Sequence, residues 1–101
     1  MEITKSLFEG RIGELFHLYD VIEHPISLTL TEVSTPDERI VQQARGMDIR
    51  EPFSLLFSGP LEPFLQQHMY TLQHDELGMV EMFLVPVNQV ENNYFYEAVF
   101  G

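Results

Sequence analysis

Val80-Glu81-Met82-Phe83-Leu84-Val85-Pro86-Val87, the polar stretch Asn88-Gln89-Val90-Glu91-Asn92-Asn93, and then Tyr94-Phe95-Tyr96-Glu97-Ala98-Val99-Phe100 run in sequence up to Gly101. Two apolar arms around a cluster of turn formers read as a β-hairpin. Side chains alternate across a strand, so Met82 and Leu84 face one way while Phe83, Val85 and Val87 face the other. A hairpin wetted on one side would carry polar residues there. Both faces of this one are apolar. The hairpin therefore either runs through a small barrel or sandwich, or has its outer face covered by another chain.

Working back along the chain, Asp75-Glu76-Leu77-Gly78 is a turn into that hairpin, and Met69 to His74 is a strand. Leu61 to Gln67 contains Pro63 and reads as an arm across the surface. Pro52 to Ser58 is a strand stopped by Gly59-Pro60. Ser34 to Glu38 is a polar loop, and Arg39 to Asp48, broken at Gly46, is equally compatible with a loop, a short strand or a short helix. Ile26 to Thr31 alternates cleanly and is a half-buried strand. Leu7 to Gly13 reads as a short helical turn or loop, followed by a strand from Leu15 to Tyr19. About six strands without a long amphipathic helix predict an all-β fold, a small antiparallel β-barrel or roll with a short N-terminal helical turn. Residues 1–101 form one barrel domain on this reading.

Composition narrows the function classes. The absence of cysteine excludes disulfides and thiolate metal sites. No apolar run reaches membrane-helix length and no signal-peptide pattern opens the chain, so a cytoplasmic protein without membrane contact is expected. The net charge is −11, and from Glu51 onward there are seven acids and neither Lys nor Arg. Such a surface repels nucleic acid while favouring solubility and encounter with a basic partner.

From Glu51 onward the chain also resembles a known family. Glu51-Pro52-Phe53-Ser54-Leu55-Leu56-Phe57-Ser58-Gly59-Pro60, Tyr70-Thr71-Leu72-Gln73-His74, Leu77-Gly78, Phe83-Leu84-Val85-Pro86-Val87 and Tyr96-Glu97-Ala98-Val99-Phe100 carry the resemblance. It is to short, uncharacterised bacterial all-β domains associated with phage tail-collar-like and tail-fibre-like proteins. The likeness covers roughly the C-terminal half, is most specific in the FLVPV and YEAVF segments, and is loose in the N-terminal half. It implies an accessory or assembly role, supports the β reading and transfers no catalytic residue. Where such relatives have a glycine in the last hairpin turn, this chain has Asn92-Asn93, and asparagine tolerates the left-handed conformation.

Candidate chemistry is sparse. His17, His24, His68 and His74 form no metal-ligand spacing; three brought together by folding, with Asp75 or Glu76, would be needed for zinc, and isolated strand-end histidines are the plainer reading. The pairs Asp37-Glu38 and Asp75-Glu76 are adjacent on extended chain and point apart, unlike a general acid and base. No serine sits in a nucleophile elbow, so no enzyme, catalytic residue, metal or cofactor is expected. Phe53, Leu55, Phe57, Tyr70, Leu72, Met82, Leu84, Tyr94, Tyr96 and Phe100 can line one interior. Phe83, Val85, Val87, Phe95 and Val99 make the other face of the closing hairpin and are the interface candidates, unless the N-terminal segment folds over them. Phe64 and Leu65 on the arm are a second contact candidate. The expectation is a protein–protein interaction or assembly module, a homo-oligomer or the partner of a basic or tail-collar-like protein. The alternatives are an acidic nucleic-acid mimic that inhibits a basic target and a small metal- or ligand-binding barrel.

Overall fold

Large apolar residues alternate with smaller or more exposed ones along Phe53–Pro60, and Phe53, Leu55, Phe57 and Gly59 are buried while the residues between them are half-buried. This strand supplies one wall of a closed barrel in a computed structural model that describes residues 3–19, 26–35 and 52–100. The elements are helix α1 (Lys5–Glu9) and strands β1 (Leu15–Leu18), β2 (Ile26–Ser34), β3 (Phe53–Pro60), β4 (His68–His74), β5 (Gly78–Val90) and β6 (Asn93–Phe100). Around the barrel the order is β1-β2-β3-β6-β5-β4, with every neighbouring pair antiparallel. The expected all-β barrel with a short N-terminal helix is the fold of the chain.

Several boundaries differ from the sequence reading. The closing hairpin turns over Glu91-Asn92 alone, because β5 runs on to Val90 and β6 begins at Asn93. Its left-handed residue is Glu91, at φ 53°, rather than either asparagine. Gly59-Pro60 does not stop β3: Gly59 pairs with Tyr94 and Pro60 with Asn93. Gly59 is an inward position where the wall needs no side chain, since a Cβ there would lie 2.6 Å from Leu28 Cδ2. β1 ends at Leu18, β2 extends to Ser34, and β4 starts at His68. Residues Arg39 to Asp48, with His24 and the Asp37-Glu38 pair, lie outside the described residues.

A six-stranded barrel is too narrow for anything but side chains inside. Phe16, Leu18, Leu28, Leu30, Leu55, Phe57, Leu72 and Leu84 have no exposed surface, and Tyr70, Val80, Met82, Tyr96 and Ala98 complete the filling. Both ends are stoppered by segments outside the sheet. At one end, α1 lowers Phe8 onto Phe16, Phe53 and Phe100, with ring centroids 6.2, 6.0 and 6.2 Å away. Phe53 and Phe100 stack at 5.0 Å beneath it. The opposite end is closed by the arm between β3 and β4. Leu65 is buried there, and its backbone N–H donates to Tyr96 Oη at 3.0 Å. The arm does not lie on the surface away from the ladder, because a barrel end left open would wet the aromatic interior.

Gly59→Ala pushes Leu28 into a filled interior and should cost about 1–3 kcal/mol, whereas Gly10→Ala meets nothing within 4 Å and should stay within about 0.5 kcal/mol. Urea melts of the two variants compare them, and equal midpoints would refute the packing account.

Burial pushes the Tyr96 phenol above its ordinary value of 10.0, the Leu65 N–H pulling the other way by less and the neighbouring Tyr94 adding to the rise. The folded barrel thus holds this proton more tightly than the unfolded chain. Its contribution is fully present below pH 10 and is lost as pH rises beyond it. Denaturant melts from pH 8 to 11 should show a steeper alkaline loss in the parent than in Tyr96→Phe. Parallel profiles would assign the loss to other groups.

Candidate interaction surface

Residues that the β-alternation turns outward on β4, β5 and β6 form a shared surface. On β5 the buried series Val80, Met82 and Leu84 leaves Met79, Glu81, Phe83 and Val85 outside. Met69 is paired with Phe83 across β4–β5, and Val85 with Glu97 across β5–β6. Two residues back along β5 from Val85 is Phe83, and two residues forward along β6 from Glu97 is Val99. Val99 in turn pairs with Ser54 of β3. The outcome is an apolar strip across three strands: Met69 is 51% exposed, Phe83 43% and Val99 65%. Val85 beside it is half-buried, as is Phe95 farther along β6.

The N-terminal segment does not cover this strip. Helix α1 is spent on the barrel end, where Phe8 is fully buried among aromatic rings. Of the interface candidates, Phe83, Val85 and Val99 come together, and Phe95 lies opposite Ser58 farther along β6. Val87 is the extra residue of a bulge between the Pro86–Tyr96 and Asn88–Phe95 pairs, exposed on the outer part of the hairpin. Phe64 is separate, at the barrel end, with its ring 4.9 Å from Tyr94 in an edge-on arrangement. Leu65 is corrected from contact candidate to core residue: it is 1% exposed, because it closes the barrel. Met69 and Met79 also belong to the outer surface, and the alternation of Tyr70 with Leu72 places Met69 on the opposite face.

Beyond Leu84 the outer edge of β5 changes character. β4 begins with His68 opposite Leu84, so Val85 to Val90 pair with β6 alone. On this stretch Asn88 Oδ1 accepts the Gln89 backbone N–H at 2.9 Å. The side chain thereby engages one backbone donor of this stretch.

A second constellation was hidden by sequence distance. His74 is 4% exposed and its Nε2 lies 2.6 Å from Glu14 Oε1. Its Nδ1 accepts the backbone N–H groups of Glu76 and Leu77 at 3.1 and 3.2 Å. Two donors at Nδ1 put the ring proton of the neutral imidazole on Nε2, where it is donated to Glu14. Arg11 Nη1 adds contacts of 3.5 Å to Glu14 and 3.4 Å to Glu76. Carboxylate and imidazole at this distance resemble a catalytic orienting pair, but both ring nitrogens are occupied. Here they tie the turn before β1 to the turn after β4.

The other described histidines do not join this site. His17 faces Ser27, its Nδ1 2.8 Å from Ser27 Oγ, and it pairs with Gln73, so it projects opposite to His74. His68 lies edge-on to Tyr70 at 5.5 Å. Asp75 and Glu76 are exposed turn residues. Among the described residues no group of three or more His, Cys, Asp or Glu is arranged to hold a metal ion, and no helix is long and apolar enough to cross a membrane.

Compared with known proteins, the chain matches a family model described as Domain of unknown function (DUF6916) over residues 3–100. No curated protein and no solved structure matches it.

The tie at His74 makes a direct prediction. His74→Ala strands two backbone donors and opens space beside Phe16, whose ring is 4.7 Å from the imidazole; the expected loss is about 2–4 kcal/mol. Glu14→Gln retains an acceptor for Nε2–H and should cost about 1 kcal/mol or less. Equal losses in equilibrium urea melts would show that the imidazole does not organise the turn.

Proposed function

The chain belongs to the DUF6916 family, and for this barrel we propose a non-enzymatic role exercised through contact with another protein chain. The observation that carries the reading is the outward strip Met69, Phe83 and Val99, which the protein's own N-terminal helix leaves uncovered. Burying large apolar side chains of this kind gains roughly 1.5–3 kcal/mol each. Aromatic and methionine side chains are also the types enriched at protein interfaces. The filled interior supports the same reading: the barrel's chemistry is presented on its wall. A nucleic-acid mimic would call for rows of carboxylates, and the six strands carry Glu32, Glu81 and Glu97, each in a different strand.

The resemblance of the C-terminal half to domains associated with phage tail-collar-like proteins supplies a context. On it, the barrel is an accessory of a tail-like assembly, working in the cytoplasm where such particles are built.

Photo-crosslinking in cells tests this proposal. A benzophenone amino acid at position 83 or 99 should give one defined protein adduct, and the same group at Ser27, on the far wall, should not. A tail-collar-like protein is the expected adduct, and a second copy of the chain would equally retain the contact surface. Equal or absent adducts from all three positions would overturn the contact surface.

A further inference from the structure

The outer wall has a charge composition that bears on its occupant. None of the six strands contains a Lys or Arg residue. Glu81 lies two residues before Phe83 on β5, and Glu97 is paired with Val85 on β6. Glu97 also pairs with Leu56 of β3, which is next to Glu32 of β2 in the register. The apolar strip is thus flanked by carboxylates on both sides along its strands. The described bases are Lys5 and Arg11, and both are engaged away from this face. Arg11 contacts Glu14, Glu76 and the Leu7 carbonyl, while Lys5 Nζ donates to Thr35 Oγ1.

On the reading of the barrel as a contact module, we infer that this face receives a different protein, one that presents an apolar centre ringed by Lys or Arg. A two-fold pairing of two copies through the strip would set Glu81 and Glu97 against the same residues of the other copy. Each chain also carries a net charge of −11, which opposes the approach of a second copy. Taking like charges out of water without neutralising them penalises such a dimer. A partner with basic groups around an apolar centre meets the same geometry with the sign reversed: Phe83, Met69 and Val99 are desolvated, and the carboxylates gain charge-assisted hydrogen bonds. The remaining bases of the chain, Arg39, Arg45 and Arg50, lie outside the described residues. A head-to-tail contact with another copy is therefore the competing occupant.

Three synthetic peptides serve as probes against isotope-labelled full-length protein: alternating Val-Lys, alternating Ser-Lys and alternating Val-Glu. The Val-Lys peptide should shift the amide signals of residues 81–85 and 97–99, and its affinity should fall about tenfold or more as salt is raised from low to high ionic strength. Ser-Lys should bind at least about tenfold more weakly, and Val-Glu should leave the spectrum unchanged. Phe83→Ser, which keeps the charge, should weaken Val-Lys binding about tenfold, and the double change Glu81→Gln with Glu97→Gln should flatten the salt dependence. Equal binding of Val-Lys and Ser-Lys, or shifts centred elsewhere, would overturn the apolar-centred basic partner, as would absence of any binding. Light-scattering mass on the same samples separates the two failures. Self-association abolished by Phe83→Ser would retain the contact surface and replace the partner with a second copy. A monomer whose strip responds to no peptide would remove the contact reading as well.

Discussion

Closure of the barrel depends on its thinnest seam. β1 has four residues and meets β4 through the pairs His17–Gln73 and Leu18–Leu72, whereas β3 and β6 are paired along their whole length. Without that seam the sheet has two free edges and Phe16, Leu18 and Leu72 lose their enclosure. The His74 tie lies beside it. Its imidazole holds Glu14, just ahead of β1, and the turn following β4, so one buried side chain fastens both strands where the backbone ladder is shortest. Every buried polar side-chain atom among the described residues has a hydrogen-bond partner, as a dry interior of this size requires.

With the interior full and both ends stoppered, the wall is what the described barrel presents to solvent. α1 and the β3–β4 arm share a logic: each buries a large apolar side chain at one end of the barrel, Phe8 on the rings of Phe16, Phe53 and Phe100, and Leu65 beside the Tyr96 hydroxyl. Their commitment to the ends is what leaves Phe83 and Val99 in contact with solvent. The same six strands lack Lys, the residue that natural sheets often use to discourage association.

Much of this was legible along the chain because strand alternation is a local property. Phe53, Leu55 and Phe57 on one face of β3, and Met82 and Leu84 on one face of β5, are inward as their spacing predicts. The apolar outer face of the closing hairpin was readable on the same basis. The path of the arm is not legible, because Pro63 marks a segment outside the ladder but not the direction it takes. Gly59 looks like a break in the sequence, since a missing side chain looks alike in a turn and in a crowded wall; only Leu28 on the neighbouring strand β2 tells them apart. Glu14 and His74 are 60 residues apart, and nothing in either neighbourhood marks them as partners.

The class of fold, the inward face of the strands and the one-sided charge of the C-terminal half are written in the order of the residues. Those properties follow from residue periodicity of two and from composition, which need no knowledge of who neighbours whom. The tertiary structure alone decided the strand order that brings β3 to β6, the plugging of the ends by Phe8 and Leu65, and the pairing of Glu14 with His74. It also decided that Met69, Phe83 and Val99 lie together and exposed on the barrel wall. These are long-range arrangements set by closing a sheet around a fixed interior volume, and local pattern carries no record of that volume.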